Sequence, residues 1–212
     1  MSRVRIHNFS ISLDGFGTGE GQSHDAHFGH AGDRLHQWMF TTQWWQPGGS
    51  GGVDDVFARQ HDPGIGAEIM GARKFGHPGW HEDPNWQGAW GSNPPFHTPV
   101  FVLTHHQRPS IEMEGGTTFH FIDASPTEAL ETARDAARGQ DVRIGGGPTI
   151  IRDFLAAGLV DYMHTVVVGI LLGRGVPKPL FAGRGARRLL ITRRPARNES
   201  ARRSRWLLAG VL

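Results

Sequence analysis

The 212-residue chain contains no cysteine. That absence excludes disulfides, thiolate metal sites and a cysteine nucleophile, and it fits a reducing cytoplasm as the expected compartment. No apolar run approaches the length of a membrane span, so no membrane partner is expected. The opening, MSRVRIHNFS, has no apolar signal core. Excess positive charge is also missing from most of the chain. Residues 184–212 hold nine arginines and one acid, Glu199, whereas 1–183 hold 13 basic and 19 acidic residues. The body is therefore about −6 and the tail +8, so the basic balance belongs to an appendage. A basic tail can hold phosphate backbones nonspecifically, but nucleic acid is not the expected partner of the body.

What the chain does have is 30 glycines, 7 tryptophans and enough length for one well-buried domain. Val4 to Leu13 alternates as a first strand, and 15–32 reads as a mobile loop rich in Gly, His and Ser. Asp33 to Trp45 has helical spacing, 47-PGGSGG-52 is a break, and Val53 to Gln60 is a short helix. Ala67 to Gly71 is a buried strand. Residues 76–98 form a long Trp/Pro/Gly loop of a kind that carries function. Strands at 99–104 and 117–122 follow. Ser125-Pro126-Thr127-Glu128 is a capping box opening a helix that stops at Gly139. A strand at 141–144, a helix at 148–157 and an apolar strand at 162–171 complete the pattern. Strands alternating with helices predict an α/β sheet with helices on both faces.

The stretch 141-DVRIGGGPTIIRDFLAAGLVD-161 poses a question of space. A strand runs into three glycines and then directly into a helix. First-turn N–H groups lack intrahelical partners and the helix dipole favours negative charge there, so the turn suits an anion. It is neither a G-x-G-x-x-G nor a P-loop, and the glycines alone are equally consistent with a tight turn packing helix on strand.

Other candidates are weaker. His24, His27 and His30 have a metal-like spacing but no fourth ligand, and no metal is expected. His105-His106 can meet a phosphate when protonated. Tryptophans 38, 44, 45, 80, 86 and 90 are candidates to wall an aromatic pocket; Trp38 is a substrate-binding candidate that also fits the core. Asp33, Asp54 and Asp55 are candidate proton donors, or helix N-terminal acids stabilised by the dipole.

Six segments in order, 10-SISLDGF-16, 69-IMGARKFG-76, 96-FHTPVFVLTHH-106, 117-TTFHF-121, 143-RIGGGPTIIRDFLAAGLVD-161 and 171-LLGRGVPKPLF-181, resemble the dihydrofolate-reductase-like superfamily. Within it the chain is most similar to the reductase domain of riboflavin biosynthesis, the RibD C-terminal family, as a stand-alone member. The resemblance implies a three-layer αβα fold with a mixed, mostly parallel sheet over 1–183, followed by the atypical tail 184–212. It implies NADPH, with Gly145, Gly146, Gly147 and Thr149 at the pyrophosphate, Gly71 and Arg73 at a second phosphate contact, and Thr104 and His105 by the adenosine ribose. It places Ser12, Asp14 and Gly15 by the nicotinamide and substrate, with Asp14 as the catalytic candidate. Two departures stand out. Ala72 occupies the family's usual arginine position, with Arg73 one residue and about 100° further round a helix. The end of the chain lacks strand alternation where relatives complete their sheet.

The implied reaction is hydride transfer to a small heterocyclic or ribosylamino substrate, as in 5-amino-6-(5-phosphoribosylamino)uracil reduction. The alternatives are a dihydrofolate or pterin reductase and a catalytically idle dinucleotide-binding module. The resemblance also suggests a homodimer through the sheet edge.

Overall fold

The computed structural model describes residues 2–175 and the backbone of Gly210–Val211. The rest of the arginine-rich segment lies outside the described residues. The elements run β1 (Val4–Ser12), α1 (Gln37–Phe40), α2 (Val53–Arg59), β2 (Ile65–Gly71), α3 (Ala72–Phe75), β3 (Pro99–Leu103), β4 (Ile111–Glu112), β5 (Thr118–Ile122), α4 (Pro126–Ala137), β6 (Asp141–Ile144), α5 (Pro148–Ala156), β7 (Tyr162–Val168) and β8 (Gly210–Val211). One sheet has the order β4-β5-β3-β2-β6-β1-β7-β8. Every adjacent pair is parallel except β4 with β5. The architecture is the expected three-layer αβα fold with a mixed, mostly parallel sheet.

The period-two alternation of the strands divides the side chains between two faces. Ala67 and Ile69 of β2, Phe101 of β3 and Ile144 of β6 pack under α4 and α5, against Leu130, Ile151 and Phe154. The opposite face is covered in two patches. Phe75, Trp80 and Phe96 lie over Met70, Val100, Val102, Phe119 and Phe121. Trp38 and Ala58 lie over Val166. Between these patches the sheet carries charge. Arg5, Arg143 and Glu68 are all buried, and they sit in register across β1, β6 and β2.

The expected helix over 33–45 shrinks to a 3₁₀ turn, Gly32–Leu35, and the single turn of α1. The Thr41 hydroxyl donates to the carbonyls of Gln37 and Trp38, and the Thr42 hydroxyl donates to that of Met39. Such local bonds compete with helix continuation, and the chain turns back to bridge Thr42 with Ser50. The last long strand stops at Val168 rather than 171, because Ile170 N–H folds back to the Val168 carbonyl. The capping box forms as expected, with Ser125 and Glu128 each satisfying the other's backbone N–H. The 15–32 segment is bound up by its own bonds, Gly19 N–H to Phe28 O and His30 N–H to Glu20 O.

Candidate active site at the carboxyl ends of the strands

The strand ends place the candidate residues in one row. Across the sheet, the turn after β3 (Thr104), the turn after β2 (Gly71), the glycine turn after β6 and the turn after β1 (Ser12 to Gly15) are successive neighbours. Three strand spacings amount to about 14 Å. Carboxyl ends of parallel strands are where α/β sheets place their sites.

The three glycines have different reasons for being glycine. A Cβ on Gly145 would lie 1.8 Å from Glu68 Oε1 and 2.6 Å from Lys74 Nζ. The space is filled by the protein's own ion pair. Gly146 and Gly147 face open space, with nothing within 4 Å of a Cβ. Gly146 has φ 104°, a conformation that disfavours any side chain. Gly147 is the N-cap of α5 and offers no side-chain cap; Pro148 fills the first helical position. The N–H groups of Thr149 and Ile150 have no partner among the described residues. Anion-receptive backbone is therefore concentrated at Gly146–Ile150.

Beneath the turn lies a charge cluster that the sequence did not reveal. Glu68 is fully buried. It accepts from Arg143 Nε at 2.7 Å and from a second Arg143 nitrogen, and Lys74 Nζ donates to its other oxygen at 2.8 Å. Arg143 also pairs with Asp62 at 3.1 Å. Burial opposes ionisation of Glu68, but Arg143 and Lys74 outweigh it and hold the carboxyl at about 2. Burial lowers the Lys74 pKa, against the pull of Glu68.

At the β1 turn, the Ser12 hydroxyl donates to Asp14 at 2.5 Å and accepts from Phe16 N–H. Leu172 and Gly173 N–H donate to the two Asp14 oxygens at 3.1 and 2.6 Å. Gly15 takes φ 84° to close the turn. The Ser12 hydrogen bond, then the two backbone bonds, hold the Asp14 carboxyl below its ordinary range.

The family model of the RibD C-terminal domain matches residues 4–201. The chain belongs to that family. Its membership assigns it, coarsely, to the RibD-type reductases. The solved structure of a pyrimidine reductase-like protein from Corynebacterium diphtheriae is similar at 15% identity, covering 86% of this chain and 80% of that one, with a TM-score of 0.46. None of the curated proteins matches the chain.

Several residues singled out in this RibD C-terminal domain have structural duties instead of free functional groups. Asp14, the catalytic candidate, accepts from the backbone of residues 172–173 and so acts as a staple between them and the β1 turn. Ser12 spends its hydroxyl within the same turn. Trp38 is a core residue, its indole N–H donated to the Ser10 hydroxyl at 2.9 Å. Gly71 donates its N–H to Gly146 O, and a Cβ there would strike Ile150 at 2.7 Å. It packs β2 against α5 and has no N–H left for a phosphate. Thr104 is buried and its hydroxyl accepts from His106 N–H. His105 is exposed and paired with Asp123, whose hydrogen bond raises the imidazole pKa. Arg73 is exposed and makes no ion pair among the described residues.

The tryptophans of 76–98 have packing roles. Trp80, Trp86 and Trp90 build the second core patch. Arg108 lies over the rings of Phe121, Trp80 and Phe75 at 4.8, 5.3 and 5.7 Å, and donates to the carbonyls of Trp86 and Asp83. No group of metal-ligating side chains exists among the described residues; His30 instead hydrogen-bonds Leu172 O. Asp55 caps Trp44 N–H and pairs with Arg59. No helix among the described residues is long and apolar enough to cross a membrane. A cavity of about 540 Å³, lined in part by Arg3, Arg5 and Arg59, opens near the amino ends of the strands, away from the glycine turn.

Proposed function

We propose that this RibD C-terminal domain is an NADPH-dependent reductase acting on a small heterocyclic or ribosylamino substrate, of the 5-amino-6-(5-phosphoribosylamino)uracil type. The observation that carries the reading is the open, uncapped turn at Gly146–Ile150, set between the ends of β3 and β1. The backbone N–H groups of Thr149 and Ile150 receive the pyrophosphate, and Gly146 and Gly147 let it approach the main chain. The β3 end, with Thr104 and His105, lies on the adenosine side. The β1 turn at Gly15 lies on the nicotinamide side. The cofactor supplies the hydride, and the protein's part is to bind, orient and exclude water.

A pterin or dihydrofolate reductase needs a carboxyl group free to bond the substrate ring. Glu68 and Asp55, the buried carboxylates of the described residues, are both committed to cations, which disfavours that reading. The idle dinucleotide-binding module is separated by activity. Titration of the full chain with NADPH, followed by tryptophan fluorescence, is expected to saturate. Oxidation of NADPH with a ribosylaminopyrimidine is expected for the reductase, and binding without turnover across pyrimidine and pteridine substrates supports the module. Absence of NADPH binding at high micromolar concentration overturns both.

A further inference from the structure

The geometry points to Lys74, not Arg73, as the cation that receives a phosphate-type anion at the glycine turn. The inference rests on the dinucleotide reading and gives it a residue that neither the family match nor the motif pattern supplies.

Lys74 lies against the turn itself. Its Nζ would be 2.6 Å from a Cβ on Gly145, so the missing side chain is what admits the ammonium. The next two residues, Gly146 and Gly147, border open space. Arg143 and Gly145 point to the same face by strand alternation, the face that holds Glu68 and Lys74. Helix α5 packs on the other face. An anion at the carboxyl end of the sheet therefore meets an ammonium on one side and uncapped helix N–H groups on the other.

Charge bookkeeping favours an anion there. Arg143 already forms a fork with Glu68 and so neutralises it. Lys74 adds a second positive charge to the same carboxylate. The next acid in the cluster, Asp62, pairs with Arg143 and His61 rather than with Lys74. One hydrogen bond to Glu68 Oε1 and the Phe96 ring, 5.3 Å from Nζ, hold Lys74 in place, and a quarter of its side chain stays exposed. Two of its three ammonium protons are free of Glu68, and lysine binds phosphate well as a point charge. Arg73 is one position back on α3, about 100° round, exposed and unanchored.

The test uses the full chain and two probes, NADPH and inorganic pyrophosphate. Lys74→Met is expected to weaken NADPH binding about tenfold or more and to flatten its salt dependence. Lys74→Arg is expected to retain most of the affinity, and Arg73→Ala to stay within about twofold of the parent. Pyrophosphate is expected to compete with NADPH in the parent and much less in Lys74→Met. Thermal midpoints verify that each variant is folded; if Lys74→Met is not, Lys74→Gln takes its place. NADPH binding by the parent with an unchanged Lys74→Met overturns the role of Lys74 and leaves the reductase reading standing. Lys74-dependent pyrophosphate binding without NADPH binding does the reverse. Binding of neither probe overturns both.

Discussion

Gly145 lacks a side chain because Glu68 occupies the place where one would go, its carboxylate oxygen 1.8 Å from the missing Cβ. A motif that looks made for a ligand is, at its first position, made for the protein. The two residues after it are the ones left open. This division has measurable consequences.

Gly145→Ala forces the Glu68–Lys74 pair apart and is expected to lower stability by about 1–3 kcal/mol through overpacking. At Gly146 a Cβ meets no neighbouring atom, and Gly146→Val carries the strain of a positive φ, about 1–3 kcal/mol. The two separate by function. Chemical denaturation should find Gly145→Ala damaged in the core, whereas Gly146→Val, still folded, should lose NADPH binding.

Glu68 makes the fold sensitive to acid. Its folded pKa, about 2, lies below the ordinary 4.5. The stabilisation is complete above 4.5 and is lost as pH falls toward 2. Urea midpoints should fall across that range in the parent and change less in Glu68→Gln, which should also be less stable at pH 7. Arg143→Met leaves a buried carboxylate without its main partner, at a cost of about 3–5 kcal/mol.

His7 acts in a higher window. Burial first, then the charge of Arg5, lowers its pKa from 6.5 to about 4. The unfolded chain therefore binds the proton more readily, and stability falls from pH 6.5 down to 4 and then levels. His7→Phe should remove that limb, and an NMR titration of the His7 ring should find it neutral at pH 6.

Asp14 separates a staple from an acid. Asp14→Ala frees the N–H groups of Leu172 and Gly173 and should lower the thermal midpoint. Asp14→Asn keeps an acceptor oxygen and should recover part of it. If the Asp14 carboxylate were instead catalytic, Asp14→Asn would be as inactive as Asp14→Ala while remaining as stable as the parent.

Arg108 is held by three aromatic faces and two carbonyls. Arg108→Ala should cost about 1–2 kcal/mol and shift the tryptophan emission, since Trp80 and Trp86 both border it.

Six strands of this RibD C-terminal domain were legible because their alternation and flanking glycines are local signals; the two-residue strands β4 and β8 carry no such pattern. Ser125 and Glu128 announced a helix start for the same reason. The helix at 33–45 failed because Thr41 and Thr42 turn their hydroxyls back on the chain, which apolar spacing does not register. The candidate site was legible as a row of strand ends, and less so as a set of groups. Glu68 and Lys74 lie six residues apart and Arg143 lies 75 beyond Glu68, so only the pairing of β2 with β6 unites them. Ser12, Asp14, Thr104 and Trp38 carry the right chemistry, but their partners are long-range or backbone groups that no motif displays.

Asp14 and His30 both fasten onto residues 172–173, one from each end of the 15–32 segment. The segment that borders the carboxyl end of β1 is thus tied at both margins to the chain leaving β7. The β1 turn and the 15–32 segment therefore share a single knot at residues 172–173, and a truncation after Val168 would loosen both together.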